Sequence, residues 1–115
     1  MAHHQIVIVG GGNAGISTAS KLLLKDKHLD IAIVEPSTKH YYQPAWTLVG
    51  GGVFDINDTI RDEASVMPKG VKWIRQRVDT FQPEQNQVIL DNGETLGYDI
   101  LIVAAGIKLN WELVK

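Results

Sequence analysis

No cysteine occurs among the 115 residues, which excludes disulfides, cysteinyl metal sites and thiol chemistry within this chain. Basic residues are not in excess either. Eleven Lys and Arg stand against thirteen Asp and Glu, for a formal net charge of −2, and no local Lys or Arg cluster offsets it, so nucleic acid is not an expected partner. No apolar stretch is long enough to cross a bilayer, and the run Gln5–Val9 is too short and too soon broken by glycine to be a signal-peptide core. These absences predict a cytoplasmic chain. A metal site is not expected: His3-His4 reads as a solvated tail, with no further ligands at suitable spacing. Hydrophobic residues at 44% and charged residues at 21% are ordinary for a globular protein, and this length holds one domain.

What is present opens with a strand, a glycine cluster and a helix. Gln5-Ile6-Val7-Ile8-Val9 reads as a buried parallel strand. Gly10-Gly11-Gly12-Asn13-Ala14-Gly15 follows, after which Ile16, Ala19, Leu22 and Leu23 recur at helical spacing while Ser17, Lys21 and Lys25 take the other face. A second apolar run, Ile31-Ala32-Ile33-Val34, ends in Glu35, twenty residues after Gly15. A glycine frame alone marks only a turn; with strand, helix and acid in place it is the dinucleotide fingerprint. Gly10 would permit the tight turn, Gly12 the approach of backbone to a pyrophosphate, and Gly15 the close packing of helix on strand. Unpaired N–H groups and the helix dipole would favour a diphosphate at the helix start without a lysine. Glu35 would accept hydrogen bonds from ribose hydroxyls and repel a 2′-phosphate, which selects an unphosphorylated ADP moiety.

Residues 36–52 have no clean period and read as an ordered loop on the ligand side, because they leave the carboxyl edge of the sheet. Within them Tyr41, Tyr42 and Trp46 either face a ligand or cover the sheet edge. A short helix is predicted from Thr59 to Val66, capped by Asn57 or Asp58, with Ile60, Ala64 and Met67 inward and Arg61, Asp62 and Glu63 solvated. Residues 71–78 read as the third parallel strand, whose end at Val78 would reach an adenine through its backbone. Asn92-Gly93, between Gln87–Leu90 and Glu94–Tyr98, is a strong hairpin signal. An antiparallel β-meander insertion over 79–98 therefore replaces the helix of a plain nicotinamide-type repeat and favours a flavin-type architecture. Asp99–Gly106 is a last apolar strand beside the first, placing Ala104, Ala105 and Gly106 near the glycine loop. The fold class expected is α/β: a Rossmann-type FAD-binding domain with a parallel sheet and a meander insertion. Because a complete unit needs further βαβ repeats, residues 1–115 are expected to form a single, truncated domain.

Gly10–Gly15 with Glu35, the segment His40-Tyr41-Tyr42-Gln43-Pro44-Ala45-Trp46-Thr47-Leu48-Val49-Gly50, and Tyr98–Gly106 together resemble the N-terminal part of the sulfide:quinone oxidoreductases. The similarity runs from Ile6 to Trp111, and the tyrosine-rich segment narrows it to the branch that includes the mitochondrial enzymes. The resemblance implies a peripheral membrane flavoenzyme that oxidises sulfide through a cysteine persulfide, passes two electrons to FAD and reduces a quinone. It implies FAD contacts at Gly10, Gly12, Asn13, Ala14 and Gly15 for the pyrophosphate, Glu35 for the ribose, and Tyr42, Gln43 and Pro44 near the ribityl chain and flavin, with Trp46 a neighbour. Val78 would meet the adenine, and Ala105 and Gly106 the diphosphate. The family's redox cysteines, second dinucleotide-like domain and membrane helices have no counterpart here, so no catalytic residue is assigned. Two other readings stay open: an NADH:quinone or NADH:acceptor flavoprotein of the same fold, and a non-catalytic nucleotide-binding module. Ile100–Val103, as an uncovered sheet edge, would invite self-association.

Overall fold

The computed structural model describes residues 2–41, 50–52 and 55–105. Strand β1 (Ala2–Val9) runs through the glycine turn into α1 (Asn13–Lys25), and β2 (Ile31–Val34) returns parallel to β1. Ile6 and Ile8 of β1, with Ile31 and Ile33 of β2, meet Ala19, Ile16, Leu22 and Leu23 of α1. Val7, Val9, Ala32 and Val34 form the opposite face. Covering on both faces explains why neither strand alternates polar with apolar residues. Each aliphatic side chain buried in this way contributes about 1.5–3 kcal/mol.

The chain continues through β3 (Lys39–Tyr41), a 3₁₀ turn at Ile56–Thr59, β4 (Ile60–Asp62) and α2 (Glu63–Val66) to β5 (Val71–Ile74). Next come β6 (Val78–Gln82), β7 (Gln87–Leu90) and β8 (Thr95–Val103). One sheet has the order β5-β2-β1-β8-β7-β6, and β3 with β4 makes a separate antiparallel pair. Strands β5, β2, β1 and β8 are parallel, whereas β6, β7 and the start of β8 form the antiparallel meander. This is the expected fold class. The meander's last turn is closed by Gly93, at φ 87°, whose N–H donates to the Leu90 carbonyl at 2.9 Å.

Residues 75–77 join strands that sit at opposite edges of the sheet. Those residues reach at most about 14 Å, while the edges of a flat six-stranded sheet lie about 24 Å apart. The sheet therefore folds over on itself and lays the meander across the face opposite α1. There Val88, Leu90, Leu96 and Tyr98 pack on Val7, Val9, Ala32 and Val34, with Ile74 and Val78 filling in from the side. Strand β8 is shared between the two layers. Its first residues pair with β7 on one side and Ala2–His4 on the other, and Ile100–Val103 then pair with Ile6–Val9.

Five expectations need correction. The helix predicted over Thr59–Val66 is a 3₁₀ turn, a short strand and only one helical turn, because Ile60–Asp62 pairs with Lys39–Tyr41. Ala64 is exposed, and Glu63, expected in solvent, is buried at 1% exposure. The strand over 71–78 stops at Ile74, where the backbone turns to cross the sheet, and Val78 begins the meander opposite Leu90. Residues 39–41, read as loop, form β3. His3 and His4 are not a loose tail either: both lie in β1, with His3 Nε2 3.1 Å from Asp99 and His4 Nδ1 2.7 Å from Asp30. No helix among the described residues is long and apolar enough to cross a membrane.

Candidate functional site

The carboxyl ends of β1, β2 and β8 converge on the glycine turn. Gly10 has φ 114°, a conformation that side chains disfavour. A Cβ there would also overlap the Ala104 carbonyl and lie 2.8 Å from the Ala105 Cα. The return strand therefore runs directly against the turn, held by the Ala104 N–H donating to the Val9 carbonyl at 2.7 Å. Gly15 is confined from the other side, since a Cβ on it would overlap the Gly10 carbonyl. Close contact of the turn with the return strand thus requires Gly10, and close contact of α1 with the end of β1 requires Gly15.

Gly12 differs from both. Its φ of −76° suits any residue, and a Cβ on it would meet nothing within 4 Å. It is the N-cap of α1 but supplies no capping side chain, and the first turn carries no acidic residue. An N-terminus of thirteen helical residues thus presents its N–H groups and positive dipole end to open space, as an anion-binding site requires. That opening fits the diphosphate of a dinucleotide.

Beneath the turn, the Gly11 peptide is held at both ends. Its N–H donates to Glu35 Oε1 at 2.8 Å, and its carbonyl lies 3.2 Å from His40 Nδ1. A carbonyl only accepts, so Nδ1 carries the hydrogen. Glu35 Oε2 accepts from the Ser37 N–H at 2.9 Å, and the Trp73 indole donates to the Glu35 carbonyl at 2.9 Å, with Arg75 stacked 5.4 Å over that ring. Glu35 is thereby fixed at the end of β2, and each carboxylate oxygen retains a lone pair for a further donor.

Glu63 completes the cluster. Its N–H donates to the Thr38 carbonyl at 2.8 Å, which turns the side chain inward. Oε2 lies 3.5 Å from His40 Nδ1, while Oε1 is buried without a hydrogen-bond partner among the described residues. A Cβ on Gly11 would stand 2.5 Å from Glu63 Oε1 and 2.9 Å from Glu35 Cβ, so both acids press on the same glycine. Burial, and secondarily the Glu35 charge, push the Glu63 carboxyl from 4.5 up to about 7. On the outer face, Lys39 Nζ is 2.6 Å from Asp62 Oδ1 and holds that carboxyl below its ordinary range.

The structure brings Gly10, Gly12, Asn13, Ala14, Gly15, Glu35 and Ala105 together around one opening. Val78 follows the carboxyl end of β5, pairs with Leu90 and packs against the core cluster that includes Val9 and Val34. Tyr42, Gln43, Pro44, Trp46 and Gly106 lie outside the described residues. Sequence reasoning gave no role to Gly11, His40, Glu63 or Trp73. Gly11 is the free position of the glycine frame, and Glu63 sits in a segment whose charges match a solvated helix face, so no local signal marks either.

The sequence model of the pyridine nucleotide-disulphide oxidoreductases matches residues 4–111. A mitochondrial sulfide:quinone oxidoreductase of Dictyostelium discoideum is 52% identical over 112 residues, covering 96% of this chain and 25% of that protein. Its Mus musculus counterpart is 41% identical over 113 residues, covering 98% of the chain and 25% of that protein. Among solved structures, the sulfide:quinone oxidoreductase of Aquifex aeolicus superposes with a TM-score of 0.78 at 28% identity, over 96% of this chain and 26% of that one. The chain thus spans about a quarter of the length of the relatives it matches.

Proposed function

The chain belongs to the pyridine nucleotide-disulphide oxidoreductase family, whose members are FAD-dependent, and from that premise we propose that it is the FAD-binding segment of a sulfide:quinone oxidoreductase. The observation that carries the reading is the uncapped N-terminus of α1, open at Gly12 and flanked by Glu35. Bound FAD supplies two-electron redox chemistry between sulfide and a quinone. The backbone N–H groups of Asn13, Ala14 and Gly15 hold its diphosphate, with Gly10, Gly12, Ala105 and Gly106 lining the approach. Glu35, fixed by the Gly11 and Ser37 N–H groups, accepts the ribose hydroxyls. Val78 meets the adenine through its backbone, and the family resemblance assigns Tyr42, Gln43 and Pro44 to the ribityl chain and flavin. Without cysteine, these residues bind and orient the cofactor and take no part in sulfur chemistry. The protein that acts on sulfide works at a membrane surface, where its quinone is dissolved.

Expressing the complete open reading frame that encodes this chain tests the reading. Sulfide should bleach the flavin absorbance of the purified protein, and a soluble quinone should restore it. Flavin that responds to NADH but not to sulfide would assign the chain to an NADH-dependent relative instead.

A further inference from the structure

Among the described residues, Glu63 and His40 are the buried ionisable groups at the site that the cofactor contacts above do not use, and Glu63 is the acid of the two. It is 1% exposed, its Oε1 has no partner among the described residues, and it stands beside Glu35 on the side of Gly11 where a Cβ would project. A buried carboxylate with an unsatisfied oxygen is costly unless it holds a proton. The surroundings favour that proton. Glu35 lies beside Glu63 at the glycine, the turn itself has no ionisable side chain, and His40 Nδ1 on β3, which donates to the Gly11 carbonyl, also lies 3.5 Å from Glu63 Oε2. Asp62, next in sequence, is turned outward to Lys39, and Arg61 on β4 is exposed.

We propose that Glu63 is a positioning residue of the dinucleotide site: through His40 it braces the Gly11 peptide from beneath, and it takes up a proton when the anionic diphosphate docks above. The inference rests on the FAD-binding reading. Two carboxylates already share the space around Gly11, and a ligand diphosphate adds negative charge to the same turn. The added charge favours the protonated form of whichever nearby acid releases its proton near neutrality, and the carboxyl that burial holds at about 7 is Glu63. By linkage, a ligand that raises proton affinity binds less tightly as the proton is withdrawn. Glu35 keeps its two backbone donors, so one acid recognises the ribose and the other adjusts the charge beneath it.

The test uses the protein from the complete open reading frame, stripped of flavin, with ADP as probe. From pH 6 to pH 8.5 the Kd should rise by about three- to tenfold. Glu63→Gln, a neutral mimic of the protonated acid, should keep the low-pH affinity and lose the pH dependence. His40→Ala, which removes the donor to the Gly11 carbonyl, should weaken ADP at both pH values. Titration calorimetry near pH 7.5, in two buffers of different ionisation enthalpy, should show net proton uptake by the unaltered protein whether or not the variants fold. An unchanged pH profile in Glu63→Gln, or no proton uptake, would overturn the proposal and leave the FAD reading standing. Absence of ADP binding at every pH would overturn the FAD reading and this inference with it.

Discussion

Gly10 and Gly12 are two residues apart, and the structure gives them opposite sensitivities. At Gly10 a methyl group meets both a positive φ and the Ala104 backbone, so Gly10→Ala should cost about 2–4 kcal/mol. At Gly12 the backbone accepts any residue and the space is empty. Gly12→Val should therefore change stability by less than about 1 kcal/mol, the difference between good and poor N-caps, while obstructing the diphosphate. Thermal unfolding alongside flavin absorbance at purification distinguishes them; a Gly12→Val protein with normal flavin content would remove the diphosphate from this turn. Glu63 carries a second prediction at this scale. Its carboxyl titrates near 7 in the folded chain and near 4.5 when unfolded, so between those values the folded state holds the extra proton. Stability then falls as pH rises through that window, by on the order of 2–3 kcal/mol, and is lowest above it. Urea unfolding from pH 5 to pH 8 should show the decline and Glu63→Gln should flatten it; identical slopes would contradict the burial argument.

At the scale of elements, the informative piece is β8, which belongs to the meander at its start and to the parallel sheet at its end. Leu96, at 1% exposure, is the point where the layers meet. Leu96→Ala should cost about 2–5 kcal/mol as a core cavity and loosen the glycine turn through Ala104, so amide exchange at Ala104 and Gly10 should quicken together. Protection lost in the meander alone would show the layers to be independent. How much of this was legible depended on the range of the contacts involved. The strand, glycine frame and helix are written in consecutive residues, and so is the Asn92-Gly93 turn; their periods and turn chemistry suffice. β3 and β4 were not legible. Lys39–Tyr41 and Ile60–Asp62 are strands only because they pair with each other across roughly twenty residues of intervening chain, a tertiary override of local preference. The burial of Glu63 follows from that pairing, which is why its charge read as solvated. His40 stood inside a recognisable segment, yet its role comes from meeting Gly11, and spacing cannot show such a contact.

Across the whole molecule, the folded-over sheet covers Val7, Val9, Ala32 and Val34 with the meander but leaves the outer edge of β8 from Ile100 to Val103 unpaired among the described residues. Ile100 is 56% and Val103 59% exposed. An apolar strand with a free edge is a template for another chain. The 115-residue chain expressed by itself should self-associate, and Ile100→Lys combined with Val103→Glu should restore a monomer. Sedimentation showing the unaltered chain strictly monomeric at high concentration would count against a sticky edge.

The contact between Gly10 and Ala104 also sets an order in time. The turn that fits the diphosphate is encoded near the start of the chain, but the backbone that fixes its shape arrives with Ala104. At ordinary rates of synthesis, that is about 5–20 s later. Until then β1 and α1 can form only a helix packed on a strand, with a turn free to collapse. The binding site closes with the longest-range pairing in the sheet, so its maturation should track the slow, non-local step of folding rather than the fast local one.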